Sequence, residues 1–140
     1  MERDLEVEVT NEEIARRWHE SYRDGDTEAL QATLAPGWVV HEAGGGVSTA
    51  EDLAEITRRH GESFPQKDLV YVHEVASADL VAQFVRYVFV HSGRYLDIEA
   101  TGRRVEFEEM VFHRFVDGRI AESWRLTHPT SMYDALASGE

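Results

Sequence analysis

Two carboxylates and two imidazoles in the last third of the chain, Glu109, His113, Glu122 and His128, have the types and spacing for proton-transfer chemistry. If Asp117-Gly118 closes a two-residue hairpin, they share one face of it: His113 lies opposite Glu122, and His128 lies diagonal to Glu109. A carboxylate beside an imidazole fixes its tautomer and raises its pKa. A histidine that is neutral near pH 7 can take a proton from an acidic carbon and return it elsewhere. The same pairs also occur as satisfied polar contacts in a core, so chemistry and fold remain alternatives at this point. The chain has no cysteine, which excludes thiol nucleophiles, thiolate metal sites and disulfide frameworks together.

Alternation around that turn sorts the hairpin into two faces. One carries Phe107, Glu109, Val111, His113, Phe115, Ile120, Glu122, Trp124, Leu126 and His128. The other carries Glu106, Glu108, Met110, Phe112, Arg114, Ala121, Ser123, Arg125 and Thr127. The first is the more apolar and is expected to face the core. A slip of one residue would reverse the assignment, and a bulge would break the Glu109–His128 pairing first. On the outer face, Met110 and Phe112 suggest a partner surface, most simply a homodimer or higher homo-oligomer.

The elements that must position these groups are legible upstream. Thr10-Asn11-Glu12-Glu13 reads as a capping box. Ile14, Trp18 and Tyr22 then recur every four residues as one helical stripe, and Gly25 stops the helix. Asp26 caps a short second helix to Leu34, and Trp38–His41 reads as a strand. Gly44–Gly46 forms a loop with neither the ending of a phosphate loop nor a dinucleotide fingerprint. Ser48 or Thr49 opens a third helix, in which Leu53, Ile56, His60 and Phe64 keep helical spacing ahead of Pro65. Beyond it the period changes to two, with strands at 69–76, 80–91, 104–116 and 119–127. Helices followed by a meander predict an α+β fold, N-terminal helices packed on a curved antiparallel sheet, as one domain over 1–140.

Composition narrows the partners. A formal charge of −13, from 27 acidic against 14 basic residues, repels phosphate backbones and anionic lipid, so neither nucleic acid nor membrane is an expected partner. "MERDLEVEVT" supplies part of the excess and reads as a solubilising surface. No basic-then-apolar leader opens the chain and no apolar run nears the roughly 20 residues that span a bilayer, which predicts a cytoplasmic protein.

Three motifs carry a resemblance: His-Ser-Gly at 91–93, Thr-Gly-Arg-Arg-Val at 101–105, and Arg-Phe-x-Asp-Gly-x-Ile-x-Glu-x-Trp from Arg114 to Trp124. With "IARRWHESYRDGDTEALQATLAPGWVVHE" at 14–42, they make nearly the whole chain resemble the SnoaL-like polyketide cyclases of the nuclear-transport-factor-2-like superfamily. The resemblance implies a cone-shaped fold and an intramolecular aldol ring closure on a hydrophobic polyketide-like molecule, with no metal or organic cofactor. It also implies an acid/base Asp four residues after the Trp of the last strand, a position held here by His128. His128 is therefore the expected acid/base, Glu109 its orienting carboxylate, and His91 or His41 the group that polarises a carbonyl. By the same resemblance Trp18, Tyr22, Trp38, His60 and Phe64 line the mouth, with Trp18 and Phe64 also readable as core, while alternation puts Phe107, His113 and Trp124 on the inward sheet face. A metal site from His41, His91 and His128 is not expected, because no HExxH or comparable spacing supports it. The alternatives on the same fold are an epoxide hydrolase, an isomerase or dehydratase, and a non-catalytic ligand-binding module.

Overall fold

The computed structural model describes residues 9–138, so most of the acidic stretch "MERDLEVEVT" lies outside the described residues. Helix α1 spans Asn11–Asp24, opened by the Thr10–Glu13 capping box and closed by Gly25 at φ +70°, a left-handed conformation that favours glycine. Helix α2 is Thr27–Gln31 with Asp26 as its cap, shorter than predicted because strand β1, Leu34–His41, starts where the helix was expected to end. Strand β2, Val47–Thr49, precedes helix α3, Ala50–Ser63, whose cap is a second reciprocal box of Thr49 and Asp52. The meander follows as β3 (Gln66–Ser77), β4 (Leu80–Val90), β5 (Arg104–Val116) and β6 (Arg119–His128). Helix α4, Met132–Ala137, was not anticipated, and neither was β2.

The strands form one mixed sheet in the order β2-β1-β6-β5-β4-β3. All neighbours are antiparallel except β1 and β6, which run parallel. Two apolar clusters fill the space between helices and sheet. One gathers Trp18, Leu30, Trp38, Leu53, Phe115 and Ile120; the other gathers Phe64, Tyr87, Phe89, Tyr95, Met132 and Leu136.

The hairpin departs from its expected register within two residues of the turn. Phe115 faces Ile120 as predicted, but Arg114 then faces Glu122, so Ala121 is an extra residue in β6. Every later side chain of β6 changes face. Ser123, Arg125 and Thr127 point inward beside Phe107, Glu109, Val111 and His113, whereas Glu122, Trp124, Leu126 and His128 point outward. The bulge leaves the Glu122 charge at the surface, where Arg114 Nη2 donates to Oε1 at 3.1 Å and His41 Nε2 meets Oε2 at 2.6 Å. It places the small Ser123 in the crowded core, where Trp38 Nε1 donates to its hydroxyl at 2.9 Å. That hydroxyl's own proton is then free for His113 Nδ1 at 2.6 Å.

The segment after β4 docks on the end of α3. Ser92 and Gly93 N–H both donate to the Ser63 carbonyl, at 3.1 and 3.0 Å, and Ser63 Oγ donates to Arg94 O at 2.6 Å. A Cβ at Gly93 would sit 2.3 Å from the Glu62 carbonyl oxygen, a backbone atom that cannot rotate away. Gly93→Ala is therefore expected to cost about 1–3 kcal/mol, as overpacking does. Urea denaturation measures it, and an unchanged midpoint would mean that the end of α3 gives way freely.

Candidate active site

Where the two apolar clusters meet, a cavity of about 700 Å³ lies between the helices and the sheet. The stripe of α1 supplies Trp18 and Tyr22, and α3 supplies Leu53, Ile56, Arg59 and His60. The inward faces of β4, β5 and β6 supply Tyr87, Phe89, Phe107, Glu109, Arg125 and Thr127. Glu42–Gly44 and Thr130–Tyr133 also border it. The wall is dominated by aromatic rings, with few charged groups among them.

Glu109 is the outstanding polar group of this wall. It is 8% exposed, and its Oε2 is sealed from solvent without a hydrogen-bond partner. Burial pushes its carboxyl up to about 7, against the pull of Arg125 and with a smaller push from Glu42. At neutral pH such a carboxyl is divided between donor and acceptor forms, the condition for general acid–base work.

Arg125 and Glu42 form the second polar unit. Arg125 Nε donates to Glu42 Oε1 at 2.7 Å and Nη2 to Oε2 at 2.8 Å, a two-point pair across β6 and the end of β1. Ser48 Oγ adds a bond to Glu42 Oε2 at 2.9 Å. Burial favours the neutral form of Glu42, but Arg125 and Ser48 outweigh it and hold this carboxyl below its ordinary value. Glu42 therefore stays ionised at a pH where Glu109 is only partly so.

Two tyrosine–imidazole pairs lie on or behind this wall, with Tyr22, His60 and Tyr87 bordering the cavity and His19 behind it. Tyr22 OH meets His60 Nδ1 at 2.5 Å, and Tyr87 OH meets His19 Nδ1 at 2.8 Å. Burial lowers both imidazoles to about 3, so both are neutral near pH 7.

Of the residues expected from sequence, Trp18, Tyr22, His60, Phe107 and Glu109 border the cavity. His128 does not: the bulge turns it to the exposed outer face opposite Glu108, so it neither pairs with Glu109 nor reaches the cavity. His41 also lies outside, held by Glu122 and stacked on Trp124 with ring centroids 5.3 Å apart. Trp124 shares that outer surface. His91 is buried with its Nδ1 bonded to Thr101 at 2.9 Å, which ties down the loop before β5. Trp38 Nε1 and His113 Nδ1 are core groups bonded to Ser123, His113 Nε2 is buried without a partner, and Phe64 is fully buried in the second cluster. The bulge displaced His128 and Trp124, whereas His41, His91, Trp38 and His113 are taken up by tertiary partners that alternation cannot show. Among the described residues, no three His, Asp or Glu side chains come together as a metal-binding group. No described helix is long and apolar enough to cross a membrane.

Arg125, Glu42, Tyr87 and Arg59 were missed. Arg125 had been placed on the outer face because Trp124 and Leu126 made the opposite face the more apolar one. The only local sign of the true register was the small polar Ser123, which suits a tight interior better than Glu122 does.

Residues 12–136 match the family model for SnoaL-like polyketide cyclase. Among solved structures, IdmH of Streptomyces antibioticus, described as a candidate polyketide cyclase, is 25% identical with a TM-score of 0.77, over 92% of this chain and 99% of its own. TsrD of Streptomyces laurentii is 19% identical with a TM-score of 0.75, over 95% of this chain and 99% of its own. AclR of Streptomyces galilaeus, described as a candidate hydroxylase, is 20% identical with a TM-score of 0.75, over 84% of this chain and 77% of its own; at such identities the likeness is one of fold. No curated protein matches the chain.

Proposed function

Since the chain belongs to the SnoaL-like polyketide cyclase family, we propose that it closes a ring within a polyketide-like small molecule, with Glu109 as the proton-transfer group. The observation that carries this reading is the Glu109 carboxyl itself, buried in an aromatic wall with one oxygen left without a partner. In an aldol closure the ionised carboxylate removes a proton from a carbon flanked by carbonyls. The enolate carbon then bonds to a carbonyl carbon of the same molecule, and the resulting alkoxide takes the proton back. No atom is gained or lost, so the product is an isomer of the substrate. The cavity folds the chain so that the two carbons meet, and this preorganisation is asked to supply much of the rate.

The test is product analysis in ¹⁸O-labelled water with an aromatic β-keto ester. An isomeric product with a new carbon–carbon bond and no added label supports ring closure. Addition of labelled water would replace it with hydrolysis of an epoxide-type substrate, and tight binding without product at any pH would make the protein a carrier.

The working form is proposed to be a homodimer in the cytoplasm, joined through the outer sheet face. Met110 faces Leu126 and Phe112 faces Trp124 across the hairpin, and all four are exposed. Phe84 beside Met110 extends the patch, and Arg114–Glu122 and Arg86–Glu108 pairs neutralise its rim. A chain of charge −13 meets a second copy at least cost over such a neutral apolar area. Light scattering is expected to give a dimer mass for the native protein and a monomer mass for Phe112→Glu; a native monomer at all concentrations would discard the interface.

A further inference from the structure

We infer that His60 polarises the substrate carbonyl through a neutral imidazole Nε2–H, and that Tyr22 is the positioning residue that fixes this tautomer. The inference rests on the ring closure proposed above and assigns the electrophilic role that Glu109 leaves open.

A phenol has one proton to place, and the acceptor within reach of the Tyr22 hydroxyl is His60 Nδ1 at 2.5 Å. If Nδ1 carried the proton and donated to Tyr22, the phenolic proton would be left without an acceptor in a half-buried wall. The satisfied arrangement has Tyr22 O–H donating to a bare Nδ1, which leaves the ring proton on Nε2. Nε2 makes no hydrogen bond and is not among the side-chain atoms sealed from solvent, while His60 itself borders the cavity. It is thus a donor awaiting a partner on the same wall system as Glu109.

The surroundings keep the ring uncharged. Tyr22, Phe64, Tyr95 and Phe89 pack around it with centroids 5.6–6.3 Å away. Behind the dominant effect of burial, the charged groups that act on it are Lys67, Arg125 and Arg59, all cations that oppose an imidazolium. A neutral imidazole does not compete with Glu109 for the substrate proton, yet donates a hydrogen bond to a carbonyl oxygen as it becomes an enolate.

The second pair provides an internal contrast. Tyr87 and His19 repeat the contact at 2.8 Å, but His19 is 0% exposed and its Nε2 is sealed in the core. His19 also does not border the cavity, so the same chemistry there does not reach a ligand. Of the two imidazoles, the one on α3 combines a fixed Nδ1 with an open Nε2.

The experiment pairs ¹⁵N imidazole NMR with kinetics on the substrate that tests ring closure. The spectrum of the native protein is expected to show His60 with Nε2 protonated and Nδ1 bare from pH 5 to 8, and Tyr22→Phe is expected to give a mixture of tautomers. His60→Phe should lower kcat by about 10²–10³-fold with KM changed little, as loss of an oxyanion donor does. His60→Gln, which restores an N–H donor without an imidazole, should recover at least about tenfold of that loss. An Nδ1-protonated ring in the native protein overturns the inference, and so does wild-type kcat in His60→Phe, or a His60→Gln variant no faster than His60→Phe, alongside an inactive Glu109→Gln. The spectrum needs no turnover, so its failure is distinguishable from failure of the ring-closure reading.

Discussion

Glu109→Gln is expected to abolish ring closure almost completely, with kcat reduced by about 10²–10⁴-fold, the range that general acid–base catalysis contributes. The amide keeps the shape of the side chain and cannot exchange a proton, so ligand binding measured by fluorescence quenching of Trp18 should change little. Stability should move the other way. Burial raises the folded-state carboxyl to about 7, whereas the unfolded chain has an ordinary glutamate near 4.3. Between those values the folded state holds the proton more tightly, so rising pH costs the native protein stability across roughly pH 4.5 to 7 and no further above it. The full span is worth roughly 4 kcal/mol at about 1.4 kcal/mol per pKa unit. The glutamine variant lacks this loss. Its melting temperature should therefore gain on the wild type through that window and hold the gain at pH 8. Wild-type turnover in Glu109→Gln would move the base elsewhere, and parallel melting curves at all pH values would show that Glu109 is not buried as described.

Arg125→Met is expected to give the second largest effect, and it acts on both stability and the pH profile. The guanidinium makes two bonds to Glu42 and attracts Glu109, so its removal leaves one carboxylate with only Ser48 and lets the other rise above 7. Breaking a buried pair from one side costs about 3–5 kcal/mol; because both side chains keep some solvent contact, about 3 kcal/mol is expected here. For a chain of this size that lowers Tm by about 10 °C. The low-pH limb of the pH–rate profile should shift upward, since Glu109 then ionises later. Adding Glu42→Gln should recover part of the stability, because it removes the carboxylate left uncompensated. Arg125→Lys should fall between, keeping the charge and losing the two-point geometry. A variant that melts within a degree of wild type with an unmoved pH limb would separate Arg125 from both carboxylates.

Local chemistry in the sequence already determined much of this protein. Thr10–Glu13 carries its own capping box, Gly25 its own stop, and Asp117-Gly118 its own turn, since each signal needs only residues within a few positions. The bounds of β5 and the cavity-facing stripe of Trp18 and Tyr22 followed from periodicity alone. Glu109 was legible as an inward carboxylate because β5 keeps its alternation throughout.

The tertiary structure decided which residues accompany it. The extra residue at Ala121 sends His128 outward and Arg125 inward, and its causes are distant: Trp38 lies 85 positions from Ser123, and His41 lies 81 from Glu122. Hydrophobic pattern argued for the opposite register, because the apolar residues of β6, Trp124 and Leu126, lie on the outer face. A strand's side chains alternate with period two, so a single unpaired residue exchanges the whole face that follows it. That His128 faces outward and Arg125 borders the cavity beside Glu109 was therefore decided by long-range contacts that no window of the sequence contains.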